Sequence, residues 1–143
     1  MNNGTRWVGI DLHRKRSHVA VIDEQGELTV SRRIMNDRET FLELLGDPAG
    51  ETHVALEATY GWEWLAELLE DAGYDVHLAH PLRRAIAAAR VKTDAIDAKT
   101  LAHLLRGESR AARAGRCGRL VSTVGFAVYF CPFTPRLAVA STI

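Results

Sequence analysis

Four acids stand out by position rather than by number: Asp11, Glu57, Asp94 and Asp97. Asp11 sits near the end of the run Trp7–His13, on the side shared with Trp7 and Gly9 and opposite Val8, Ile10 and Leu12. A carboxylate there, beside a central strand, is costly to bury unless it is paired or bound to a cation. Glu57 closes a second alternating run, Thr52–Glu57, with small Ala55 two residues before it. Asp94 and Asp97 are three apart at the start of a helical pattern and share its face. They continue backward the apolar stripe of Ala98, Leu101, Ala102 and Leu105. Converging carboxylates repel one another until divalent cations neutralise them. Mg²⁺ takes oxygen ligands and keeps several waters, so a few carboxylates plus a phosphate suit it. Two such ions, roughly 3.5–4 Å apart, can activate a nucleophile and stabilise the leaving oxygen of a phosphodiester. The expected cofactor is therefore Mg²⁺, with Mn²⁺ as its alternative.

Each acid also has an ordinary explanation. Asp11 can end a strand through a turn hydrogen bond, and Glu57 can be a solvated strand end. Asp94 and Asp97 can be first-turn acids favoured by the helix dipole. The metal reading rests on all four occurring at compatible positions. Two basic groups flank them: Arg14, Lys15 and Arg16 in the first turn, and Arg83, Arg84, Arg90 and Lys92 on the approach to Asp94. Such cations would hold a nucleic-acid phosphate, although a solvated face explains them equally. Tyr60, Trp62 and Trp64 follow Glu57, where an exposed ring would stack on a base and a buried one would be core. No cysteine–histidine cluster suggests zinc. His18, His53, His77, His80 and His103 show no ligand spacing and receive no role; His13 is a candidate to contact the site near Asp11.

The elements that must position these residues follow from hydrophobic period and turn chemistry. Strands are expected over Trp7–His13, Ser17–Ile22 and Glu27–Ile34, joined by the basic turn and by Asp23-Glu24-Gln25-Gly26. A helix from Asp37 to Leu45 ends at Gly46 and Pro48. Thr52–Glu57 is a fourth strand, Trp62–Ala72 a helix stopped at Gly73, and Asp75–Ala79 a fifth strand stopped by Pro81. Helices over Leu82–Arg90 and from Asp94 to about Arg106 complete the pattern. A hairpin meander followed by βαβ units gives an α/β fold: a mixed five-stranded sheet with helices on both faces, the plan of the RNase H-like fold.

The 143 residues suit one domain, with 47% hydrophobic and 25% charged residues typical of a globular chain. The formal charge is zero, but no acid follows Glu108, while Arg110, Arg113, Arg116, Arg119 and Arg136 do. Residues 1–106 are accordingly expected to form the domain. Residues 107–143 are expected to be an anomalous tail, out of frame or disordered, unless a segment such as Leu120–Tyr129 adds a strand. Cys117 and Cys131 read as reduced thiols. No signal segment precedes Trp7, and the longest apolar stretch, Val124–Phe133, is short of the ~18–20 residues that span a bilayer. A cytoplasmic protein with no membrane partner is expected.

Three segments carry a family resemblance: Val8-Gly9-Ile10-Asp11; Ala55-Leu56-Glu57-Ala58-Thr59 with Gly61; and Lys92-Thr93-Asp94-Ala95-Ile96-Asp97-Ala98. Together they resemble the amino-terminal domain of insertion-sequence-110 transposases, over about residues 6–106. The resemblance implies a RuvC-like domain that binds Mg²⁺ through a DEDD tetrad, here Asp11, Glu57, Asp94 and Asp97. It also implies DNA transposition in bacteria or archaea, guided by an element-encoded structured RNA, and an oligomeric full-length protein. In that family a separate carboxyl-terminal domain supplies a serine nucleophile. Ser109, Ser122 and Ser141 match nothing in it, so the chain is expected to be truncated and not to complete transposition alone.

Three other readings compete. An actin-like ATPase half also begins with a strand resembling GIDLG, but His13 stands where a phosphate-binding glycine would, and no glycine-rich loop follows. A stand-alone Mg²⁺-dependent nuclease of the same fold would cleave branched DNA. A non-enzymatic remnant would at most bind nucleic acid.

Overall fold

The computed structural model describes residues 4–48, 51–57, 61–81, 94–113, 121–123 and 126–132. Strands β1 (Arg6–Leu12), β2 (Arg16–Ile22) and β3 (Leu28–Met35) form an antiparallel meander. Helix α1 (Arg38–Leu45) then leads to β4 (Thr52–Glu57), and α2 (Glu63–Asp71) leads to β5 (Asp75–Pro81). Strand β4 lies parallel to both β1 and β5. The mixed five-stranded sheet expected from the sequence is present, in the order β3-β2-β1-β4-β5. Helix α3 (Asp94–Arg113) follows, then β6 (Val121–Thr123) and β7 (Phe126–Pro132). Strand β7 pairs antiparallel with β5 and β6 pairs with β7, so the sheet runs to seven strands. The expected helix over residues 82–90 lies outside the described residues.

The two faces of the sheet have different chemistry because β1 and β4 alternate. Val8, Ile10, Leu12, Val54, Leu56, Val76 and Leu78 point to one side, where they bury Phe41 and Leu45 of α1 and Leu65, Leu68 and Leu69 of α2. Asp37 caps α1: its carboxylate accepts from the Thr40 amide at 2.8 Å and hydroxyl at 2.6 Å, and these bonds lower its pKa. Gly46, at φ 68°, closes the helix by donating its amide to the Leu42 carbonyl. Tyr74, buried behind α2, donates its hydroxyl to the Gly46 carbonyl and so ties the end of α1 to the start of β5.

The opposite face carries Trp7, Ala55 and Ala79, covered by Leu101, Ala102, Leu104 and Leu105 of α3. Helices therefore pack on both faces. Gly9 is what lets α3 come so close. A Cβ built there would overlap the Ala98 carbonyl oxygen and lie 2.7 Å from the Ala102 nitrogen. Only a residue without a side chain permits helix backbone to rest on strand backbone.

This close approach fixes the direction of α3. Ala98 and Ala102 lie against Gly9, whereas Arg106 reaches Trp7, its guanidinium carbon 5.8 Å from the ring centroid. The helix thus runs antiparallel to β1, with its amino terminus toward the Asp11 end. Arg106 also donates to the Glu24 carbonyl at 2.7 Å, which fastens the later half of α3 to the β2–β3 turn.

Candidate active site

The site begins with two strand ends. The parallel register pairs Gly9 with Ala55 and Ile10 with Leu56. Asp11 and Glu57 are the next residues beyond that paired stretch, and strand alternation puts both on the α3 side of the sheet. Asp11 is 6% exposed, which is unusual for a carboxylate; Glu57 is half-buried. The Asp11 carboxylate Oδ2 lies 3.0 Å from Nε2 of His13, whose ring is largely exposed. This is the contact anticipated for His13.

Helix α3 brings the other two acids toward this edge along its backbone. Asp94 is its first residue and Asp97 lies in its first turn. From Gly9 to Asp11 the strand advances about 6.6 Å; from Ala98 back to Asp94 the helix advances about 6.0 Å. The crossing at Gly9 and Ala98 therefore places the start of α3 at the level of Asp11. The positive end of the helix dipole points to the same edge. The side chains of Asp94 and Asp97 lie outside the described residues.

Past Asp11 the chain enters the basic turn. Arg14, Lys15 and Arg16 are all exposed. Asn36 holds this turn from below. It accepts from the buried Ser17 hydroxyl at 2.6 Å, donates its side-chain amide to the His13 carbonyl at 2.5 Å, and donates its backbone amide to the Lys15 carbonyl at 3.1 Å. The three cations are thus presented from an ordered turn next to Asp11. The second basic group, Arg83, Arg84, Arg90 and Lys92, lies outside the described residues, as does Tyr60. Trp62 is partly buried against the core of α1 and α2. Trp64 is 36% exposed and meets Phe41 edge-on at 6.0 Å.

At the other end of the same strands lies a cluster that the sequence reading did not assign. His53 and Asp75 are register partners on β4 and β5, and His77 follows Asp75 on the same side. Asp75 Oδ2 lies 2.6 Å from Nδ1 of His53 and 2.7 Å from Nε2 of His77. Those hydrogen bonds, His53 first and then His77, hold the Asp75 carboxyl far below its ordinary pKa. His53 is buried, stacked on Trp7 at 6.0 Å between centroids. In sequence, Asp75 and His77 at i and i+2 are one signal for this cluster; His53, 22 residues earlier, joins only through the strand register.

Among the described residues, no helix is long and apolar enough to cross a membrane. A search of curated proteins finds no match to the chain. A family model, that of the DEDD transposases of the insertion-sequence-110 type and described simply as a transposase, matches residues 8–116. That span holds the strand ends bearing Asp11 and Glu57, the basic turn and all of α3. With most of its length so matched, and with an α/β fold of RNase H-like plan, the chain belongs to the DEDD transposase family of insertion sequence 110, whose role is DNA transposition.

Proposed function

We propose that Asp11, Glu57, Asp94 and Asp97 form one carboxylate site that holds Mg²⁺, or Mn²⁺ in its place, and acts on DNA phosphodiesters. The observation that carries this reading is the crossing of α3 over β1. Gly9 receives the helix backbone at Ala98, Asp11 lies two residues onward, and Asp94 lies one helical turn back toward the same edge. The donor set fits the ion, because carboxylate oxygens are the ligands that a small, hard cation takes. Burial of Asp11 fits as well, since a desolvated carboxylate next to Glu57 gains from a positive neighbour. When bound, the ions would supply charge neutralisation at a scissile phosphate and activation of the attacking oxygen.

The protein's own groups do the rest. The strand ends and the first turn of α3 fix the spacing of the acids. His13 shares a hydrogen bond with Asp11 and orients its carboxylate. The ordered turn of Arg14, Lys15 and Arg16 draws the DNA backbone to the edge where Asp11 lies, and Arg83, Arg84, Arg90 and Lys92 extend that basic approach. A structured guide RNA, a homo-oligomeric assembly and a serine nucleophile complete the reading by family resemblance. No serine of this sequence is assigned that last role.

The test is a Mg²⁺ titration of the purified chain followed by thermal melting. The melting temperature should rise with Mg²⁺. The rise should vanish in Asp11→Asn and in Asp94→Asn. A rise that survives both substitutions would place the ion elsewhere and end this proposal. Mg²⁺-dependent cleavage of branched DNA by the chain alone would instead favour a self-sufficient nuclease.

A further inference from the structure

We propose that His53, Asp75 and His77 form a second metal site, for a zinc-class divalent cation, which staples the start of β4 to the start of β5. The site stands apart from the carboxylate site. His53 and Glu57 lie on the same face of β4, four residues and about 13 Å apart. The two sites also differ in chemistry. The first offers only carboxylate oxygens, whereas this one offers two imidazole nitrogens and one carboxylate oxygen, a set that suits zinc rather than magnesium.

The geometry needs little change. One potential ligand atom from each of His53, Asp75 and His77 lies within 4.8 Å of the other two, and Asp75 Oδ2 meets Nδ1 of His53 and Nε2 of His77 directly. A tetrahedral ion with ligands at about 2.0–2.1 Å sets them roughly 3.3–3.4 Å apart. The two existing hydrogen bonds, 2.6 and 2.7 Å long, would open by less than about 1 Å to admit it. Access is available: the Asp75 side chain is half-exposed, while His53 beneath it is fixed by the Trp7 ring. A fourth position on the ion would face solvent on the Asp75 side.

A carboxylate also stands behind His53: its Nε2 is buried, makes no hydrogen bond, and faces Glu51 Oε1 at 3.4 Å. A carboxylate behind a metal-bound histidine is a recurrent arrangement that fixes the ring and its tautomer.

Binding is measured with tag-free, chelator-treated full chain in buffer containing excess Mg²⁺, which occupies the carboxylate site. Zn²⁺ is titrated by calorimetry, and Co²⁺ is added as a visible-absorption probe of tetrahedral geometry. One equivalent of Zn²⁺ should bind. Affinity should fall about tenfold or more in His77→Gln and in Asp75→Asn, by comparison with the loss that even an outer-sphere change causes. It should be unchanged in Asp11→Asn. The His77 ring is partly buried and meets the His53 ring at 5.9 Å, so Asp75→Asn, at a half-exposed side chain, gives the second and independent test. Absence of Zn²⁺ binding would overturn the proposal. So would binding that survives both His77→Gln and Asp75→Asn, or that is lost in Asp11→Asn.

Discussion

Replacing Gly9 with alanine puts the link between fold and site to the test. In a strand, glycine to alanine by itself favours folding by about 0.5–1 kcal/mol, because the unfolded chain loses freedom. Here the added methyl would lie 1.9 Å from the Ala98 carbonyl oxygen and 2.7 Å from the Ala102 nitrogen. Comfortable contacts of a methyl carbon lie at about 3.5 Å, so α3 must retreat by roughly 1.5 Å. The obstacle on each side is backbone, which cannot rotate away. Overpacking of this kind costs about 1–3 kcal/mol, and the retreat also loosens Leu101, Ala102 and Leu105 from Trp7 and Ala55. The clash outweighs the propensity gain, leaving a net loss of about 1–2 kcal/mol. For a chain of this size that lowers the melting temperature by about 3–8 °C. The start of α3 moves with the rest of the helix, so the stabilisation by Mg²⁺ should weaken too. Chemical denaturation in the presence and absence of Mg²⁺ reads both effects. A Gly9→Ala protein as stable as the parent, with an unchanged Mg²⁺ response, would refute the idea that this close approach sets the helix.

Three further outcomes are expected. Asn36→Ala should cost about 1–3 kcal/mol in urea denaturation, since it strands the buried Ser17 hydroxyl, and should speed amide exchange between His13 and Arg16. Neutralising Arg14, Lys15 and Arg16 together should weaken DNA binding across sequences and reduce the salt dependence by about one unit of slope for each DNA phosphate that is no longer neutralised. Asp75 has a lowered pKa in the folded chain, so its contribution to stability is present above its ordinary value of 3.8 and is lost as pH falls below that. The difference in melting temperature between the parent and Asp75→Asn should therefore hold steady down to about pH 4 and shrink in acid scans below it.

The alternation of Val8, Ile10 and Leu12 against Trp7, Gly9 and Asp11 was legible because strands have a period of two, and both faces of the sheet follow from it. The strand boundaries came within a residue or two for the same reason. What local pattern could not supply was contact across the chain. Gly9 reads in sequence as one small residue in a strand; that it receives a helix 89 residues later depends on packing. Helix α3 was expected to end near Arg106 but runs to Arg113, because that alanine- and arginine-rich segment has good helix propensity without a clear apolar stripe. Strands β6 and β7 lie in residues expected to form an anomalous tail, although a strand over Leu120–Tyr129 was the alternative. Their partner is the outer edge of β5, and pairing to an edge leaves no periodic mark in the sequence. The His53–Asp75–His77 cluster was hidden by the same kind of register dependence.

The seat of Ala98 on Gly9 also makes α3 a rod whose rotational phase matters. Each residue of an α-helix turns the chain by about 100° and advances it about 1.5 Å. With the rod clamped at Ala98 and again where Arg106 meets Trp7, the phase of everything before Ala98 is determined. Deleting Ile96 would barely shift Asp94 along the axis yet would swing it about a quarter of a circle around it. Ala95 and Ile96, which separate the two acids, can thus be exchanged for other helix formers, but their number cannot change.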